Sequence, residues 1–253
     1  MGNELITIKR RIQQAIQHPI LDQYIQKIEI DEDRLFVLEK MFAESSFSFD
    51  PSEEYITSII LCQMASELHD AITLDALNDS RDIKARQLMI LAGDYYSTQI
   101  HCVLADLKDF KMLGHLSDAV VELNARKVDV FSADFHWQQI FDFFYDIESI
   151  ILSKIATVLG MRHWMPMIAR YFTLKRVLHE TERCYQGSPS QVLQAIFEKR
   201  PEKKKQFVQA AESFIGKLVG KIEKDLQEGL PFLSQLSLMK SHWDEQTMRF
   251  SMR

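Results

Sequence analysis

Apolar residues recur at helical spacing along almost the whole chain, and the breaks between those runs mark out the elements. Residues 3–17 place Leu5, Ile6, Ile8, Ile12 and Ile16 largely on one side, and His18-Pro19 closes that helix. A short helix over 20–29 follows. A third opens near Asp31 with Leu35, Phe36, Leu38 and Met41 as its apolar face. Asp50-Pro51-Ser52-Glu53 reads as a start signal: Asp as N-cap, Pro at the first helical position, Glu at the third. The helix it opens is predicted to run to about Leu77. NDSRD at 78–82 breaks the pattern, and the next helix is predicted from about Ile83 to Leu107. Within it, LMILA at 88–92 is apolar on every side, which predicts a central helix. Further helices are expected over 116–128, 134–159, 164–185, 190–199, 202–227 and 232–249. Ser188-Pro189-Ser190-Gln191 repeats the start signal, and Gly229-Leu230-Pro231 separates the last two helices.

Composition agrees with this pattern. Eight glycines and six prolines among 253 residues are too few for the many tight turns of a sandwich or barrel. The expectation is a single all-α domain over 1–253, a helical bundle with short connections. Charge narrows the function classes. A net charge of −6 argues against nucleic acid as the main partner. EKRPEKKKQ at 198–206 is the one strong basic cluster and reads as a solvated turn and helix start. The three cysteines, Cys62, Cys102 and Cys184, are scattered and form no CxxC pair, as expected of reduced thiols. MGNELITIKRR has no apolar signal-peptide core, and no apolar run reaches the ~18 residues of a spanning helix. The expected location is the cytoplasm, with contact at a membrane surface left open.

One stretch resists a plain helical reading. LAGDYYS, residues 91–97, sets Gly93 and Asp94 inside the most apolar run of the chain. Glycine there costs about 1 kcal/mol relative to alanine, and a buried carboxylate needs a partner. Gly93 beside Ala92 suits the close approach of two helices. Asp94 is expected to accept hydrogen bonds inside the bundle. Tyr95 and Tyr96 should face different sides, one of them core.

Upstream lies ASELHDAITLDALNDSRDIKARQLMILAGDYYS, residues 65–97. LHD followed by a charged stretch and then LAGDY resembles the trans-prenyl diphosphate synthases, all-α enzymes that join allylic diphosphates to isopentenyl diphosphate. Their first metal motif reads L-x-H-D-D-x-x-D. Its chemistry explains its spacing, because Mg²⁺ held by carboxylates neutralises the departing diphosphate, and aspartates at i and i+4 share one helix face. In this chain Leu68, His69 and Asp70 match, but Ala71 and Leu74 stand where the other aspartates belong. Asp75 follows one place later, about 100° further around a helix. The arginine pair and glycine that usually follow are missing, and DALNDSRD offers only Arg81.

The second motif is similarly incomplete. YDIESIILSKIATVLG at 145–160 resembles the family's later helix, with Lys154 and Ala156 in place and Ile155 for a threonine. YFTLKRVLHETERCY at 171–185 stands where a second DDxxD belongs. Glu180 and Glu182 are two apart and point to different faces, and HETE lacks the second histidine of a zinc HExxH. The sequence holds no Asp-Asp pair anywhere.

A prenyl synthase scaffold without either metal row resembles the small subunits, component I, of the two-component heptaprenyl diphosphate synthases of Gram-positive bacteria. The resemblance implies a terpenoid-synthase fold and a partner, the catalytic large subunit (component II). That partner would carry both DDxxD rows and the Mg²⁺. The complex would act on farnesyl and isopentenyl diphosphates to make the heptaprenyl or hexaprenyl precursor of the menaquinone side chain. On this reading the chain has no catalytic residue and no metal of its own, and meets prenyl diphosphates through the complex. A homodimer of the lone chain is compatible with it. His69, Asp70, Asp75 and Asp94 form the degenerate first-motif region. Ala65 stands five places before Asp70, where the family sets tunnel depth, with Ser66 beside it and Leu61 and Cys62 one turn deeper. Ordinary small-residue packing is the competing account. Phe135, Trp137, Phe141, Phe144 and Tyr145 crowd FHWQQIFDFFYDI at 135–147, and their surplus face is a candidate partner surface beside plain core packing. Two alternatives stand. One is a self-sufficient terpenoid enzyme with a metal site built from Asp70, Asp75, Asp94 and Glu180. The other is a helical adaptor unrelated to isoprenoids.

Overall fold

In a computed structural model the described residues are 2–25, 29–46, 51–72, 76–130, 136–228 and 231–236. Among them the chain forms ten α-helices and two 3₁₀ segments, without a strand. The helices are α1 (Gly2–Ile16), α2 (Leu21–Tyr24), α3 (Glu32–Glu44), α4 (Ser52–Asp70), α5 (Ser80–Asp106), α6 (Phe110–Asp129), α7 (Trp137–Val158), α8 (Met165–Gln186), α9 (Gln191–Lys199) and α10 (Lys203–Glu228). The all-α expectation holds. The chain divides into two compact units, Met1–Val120 with Thr157–Gly160, and Val121–Ala156 with Met161–Arg253.

Side chains of the aspartates set several boundaries that periodicity misplaces. Asp31 caps α3 by accepting from the N–H groups of Asp33 and Arg34. Asp79 does the same for Arg81 and Asp82, so α5 begins at Ser80 and not near Ile83. Asp109 accepts from the Met112 N–H at 2.9 Å, which starts α6 six residues ahead of the expected 116. At α4 the expected order shifts by one: Pro51 itself is the N-cap, and Asp50, expected there, lies outside the described residues. Helix α4 ends at Asp70, seven residues short of Leu77. Of the expected helix over 232–249, residues 237–249 lie outside the described residues, and Pro231–Gln235 is 3₁₀. The α5–α6 turn places Lys108 in the left-handed region (φ 55°), while α8 ends more comfortably on Gly187 (φ 81°).

In the first unit α4 is the central helix. Every residue from Tyr55 to Ala65 is buried, with Ile8 and Ile12 of α1 and Leu35, Leu38 and Met41 of α3 in the same core. Helix α5, expected to be central, offers α4 one face only: Ala92, Gly93, Tyr96, Ile100 and Leu104. Ile90 and Leu91 of the LMILA run are 43% and 59% exposed. An all-apolar run of five residues covers every side of a helix, and here the side carrying Ile90 and Leu91 is exposed.

The second unit is built on α8 against α7 and α10. Phe144, Tyr171, Phe172 and Phe207 are almost completely buried, and Phe141 stacks on Phe214 with centroids 4.2 Å apart. Arg170 of α8 holds Asp225 of α10 through Nε and Nη2, both at 2.7 Å, a bidentate fork at the edge of this core.

Candidate functional site

The first-motif region sits where α4 ends and α5 passes it. Ala71 closes α4, its N–H donating to the Glu67 carbonyl at 3.0 Å, so Asp70 is the last helical residue. Asp75 lies outside the described residues. His69 Nε2 lies 3.6 Å from Asp94 Oδ1 across the two helices, with side chains 43% and 67% exposed. That separation exceeds a hydrogen bond and is an exposed charge contact whenever the imidazole is protonated. Asp94 is therefore not the buried acceptor expected of it, because its side of α5 faces solvent.

Gly93 explains itself against the same imidazole. A Cβ built on it would lie 2.2 Å from His69 Nε2 and 2.5 Å from Cδ2, so the histidine ring occupies the space that any other residue would fill. The close approach is ring to backbone. Tyr96 is the core member of the tyrosine pair, and Tyr95 is half-buried with its ring 6.2 Å from that of His18.

These groups make a poor Mg²⁺ cradle. Among the described residues no three His, Cys, Asp or Glu side chains converge on one point. An imidazole beside one carboxylate lacks the ring of oxygen ligands that a hard cation takes. Leu61, Cys62 and Ala65 lie in the core of the first unit and Ser66 is half-buried at its edge.

The second-motif region is different in kind. Glu180 is 0% exposed. Its Oε1 lies 2.7 Å from Arg176 Nη2, one helical turn earlier, and its Oε2 accepts the Ser190 N–H at 3.2 Å, at the start of α9. Arg176 in turn reaches Glu148 Oε1 at 3.6 Å and lies over the Phe144 ring, 5.5 Å from its centroid. The carboxylate joins α8 to the start of α9, and Arg176 extends the link to α7. Glu182 is exposed on the other side of α8, as the two-residue spacing requires. Lys154 pairs with Glu122 at 2.8 Å. Burial pushes the Cys184 thiol up to about 12, and partial desolvation holds the exposed His179 below its ordinary pKa.

The aromatic run is spent mainly on the second unit's own core. Phe141 and Phe144 are buried, which removes them from the partner surface proposed for them. Trp137 is half-buried against Phe207, Tyr145 is at the rim, and Phe135 lies outside the described residues. Periodicity missed the Arg176–Glu180 pair as a structural joint, although its i, i+4 spacing was a usable signal. Arg170–Asp225, 55 residues apart, left no such trace.

Comparison with known proteins then decides the family. The model for heptaprenyl diphosphate synthase (HEPPP synthase) subunit 1 matches residues 18–227. The chain belongs to that family. Heptaprenyl diphosphate synthase component 1 of Geobacillus stearothermophilus is 30% identical over 132 residues, 52% of this chain and 58% of that protein. The match thus spans less than two thirds of that curated relative. An isoprenoid synthase family member from Thermotoga neapolitana superposes with a TM-score of 0.61 at 12% identity, covering 87% of this chain and 91% of the other. Heptaprenyl diphosphate synthase from Staphylococcus aureus gives 0.58 at 15% identity over 100% and 98% of the two chains. Octaprenyl pyrophosphate synthase from Helicobacter pylori gives 0.58 at 13% over 100% of both. The fold is that of the isoprenoid synthases, and the reading as an unrelated adaptor falls. No described helix is long and apolar enough to cross a membrane.

Proposed function

We propose that this chain is the non-catalytic small subunit of a heterodimeric long-chain prenyl diphosphate synthase. A catalytic large subunit would carry both aspartate rows and their Mg²⁺. Together they would condense farnesyl diphosphate with isopentenyl diphosphate for the menaquinone side chain, in the cytoplasm and at the membrane that receives the product. The observation that carries the reading is a subunit 1 family member whose described residues offer no cradle of carboxylates for Mg²⁺. Its work is then to complete the large subunit's fold and shape the path of the growing chain.

The test is reconstitution. The chain alone should not elongate farnesyl diphosphate with isopentenyl diphosphate and Mg²⁺, and adding the large subunit should give a stable complex and a long product. Turnover by the lone chain would refute the division of labour. The rival, a self-sufficient enzyme using Asp70, Asp75, Asp94 and Glu180, must free a carboxylate that is fully buried and committed to Arg176 and Ser190. Mg²⁺-dependent diphosphate release without a partner would select that rival.

Ala65 gives the narrower test. We propose that α4 shapes the product tunnel, so Ala65→Phe shortens the product of the complex. The same change overpacks a buried position at a cost of about 1–3 kcal/mol. Product length is therefore compared at matched amounts of assembled complex, and unchanged length leaves Ala65 as packing.

A further inference from the structure

Five cations and two carboxylates, Glu198 and Glu202, lie within 198–206, in a chain whose net charge is −6. Lys199 ends α9, Arg200 follows, and Lys203, Lys204 and Lys205 form the first turn of α10. Lys199, Arg200, Lys204 and Lys205 are exposed. Cations in a first helical turn oppose the helix dipole. Helices α3, α4 and α5 open on Glu32 and Asp33, on Glu53 and Glu54, and on Asp82, while α6 to α10 have no acidic residue in the first turn. What distinguishes α10 is a first turn of three consecutive lysines, which concentrates positive charge against the helix dipole at this corner.

The same corner carries an aromatic group. Lys203 Nζ lies 5.7 Å from the centroid of the half-buried Trp137 ring, which also meets the Phe207 ring at 5.4 Å. Lysines around a tryptophan with one wet edge suit the headgroup layer of a bilayer, where the amphipathic ring and the cations each find a partner.

We infer that Lys199, Arg200 and Lys203–Lys205, with Trp137, form a docking surface for anionic phospholipid headgroups. The choice of a lipid surface over another polyanion rests on the proposed function, whose product has a long apolar chain and must pass into a bilayer. Contact is peripheral, since no described helix can span.

The test is flotation of the full chain with vesicles of phosphatidylcholine alone, or of phosphatidylcholine with phosphatidylglycerol, at low and high salt. Binding is expected only to the anionic vesicles, and high salt should remove it. The variant Lys203→Gln/Lys204→Gln/Lys205→Gln should bind about a hundredfold more weakly. Lys217→Gln/Lys221→Gln/Lys224→Gln, which removes three exposed lysines further along α10, should keep binding within about twofold of the unaltered chain. Equal losses in both variants, equal binding to neutral vesicles, no binding at low salt, or binding to an RNA oligonucleotide and not to vesicles would each overturn the inference. Product synthesis with the large subunit in detergent reads the proposed function separately. The first-turn variant should retain it, and its loss there would place the cluster in assembly or catalysis and overturn the lipid assignment.

Discussion

The ends of α4 and α8 stand where the resemblance places two metal-binding rows, and neither region is built like the other. At the α4–α5 contact the polar groups are open: His69 and Asp94 face each other at 3.6 Å, both well exposed. In α8 the carboxylate is closed in, with Glu180 fully buried between Arg176 and the start of α9. The first region leaves its polar groups to solvent. The second holds its carboxylate between α8 and the start of α9. Proximity to a motif is therefore no guide to a residue's work; burial and partners are.

The largest expected effect tests this contrast directly. Removing one partner of a buried ion pair costs about 3–5 kcal/mol, because the other charge and its hydrogen-bond donors lose their acceptor. Glu180→Ala should lower the unfolding free energy, read by urea denaturation, by about 3 kcal/mol or more. Asp94→Ala should change it by less than about 0.5 kcal/mol, as an exposed pair does. Similar small losses at both positions would erase the distinction between the regions.

Part of this contrast was legible in the sequence. Helical periodicity located the long elements, since a stripe of Ile and Leu at three- and four-residue spacing has few other uses. The opposite placement of Glu180 and Glu182 followed from their two-residue spacing. Two things escaped. LMILA looked central because periodicity reports how apolar a helix is and not how many neighbours it has; Ile90 and Leu91 face outward. Asp79 and Asp109 looked like loop residues because a cap is a hydrogen bond to a particular N–H, which composition does not reveal. At the candidate site, Gly93 was expected to let two helix backbones approach, and what stands against it is the His69 ring, because residue spacing does not reveal which side chain turns into the gap between helices.

The second effect is a pH dependence that belongs to the closed region. Burial raises the pKa of Cys184 from 9.0 to about 12, and partial desolvation lowers that of His179, which is exposed on α8. Below the ordinary histidine pKa of 6.5 the unfolded chain takes up a proton that folded His179 resists, so stability falls as pH falls through that value, by a small amount because solvent screens the exposed ring. Above pH 9 the unfolded thiol loses a proton that folded Cys184 keeps until about 12, so stability falls again as pH rises across that window. Urea midpoints across pH should trace both limbs, and Cys184→Ala should flatten the alkaline one. In the native protein at neutral pH a thiol reagent should label exposed Cys102, and reach buried Cys62 and Cys184 only on denaturation. Fast native labelling of Cys184 would show that the closed region opens.

The smallest effect belongs to the open region and turns on Gly93. Alanine in a helix interior is favoured over glycine by about 1 kcal/mol. Here the added methyl would meet His69 Nε2 at 2.2 Å, so the ring must swing away from Asp94. The ring is the far end of a partly exposed side chain and can move, which keeps the cost near the propensity gain. Gly93→Ala alone should thus leave stability within about 0.5 kcal/mol of the unaltered chain. In a His69→Ala background the clash is gone, and the same substitution should stabilise by about 1 kcal/mol. The difference between backgrounds is the coupling of ring and glycine, read from the four proteins of a double-mutant cycle in urea. A gain of equal size in both would mean that the ring has room. Gly93 would then be a helix-weakening residue with no steric cause, and the open region would lose a contact that fixes the place of the His69 ring.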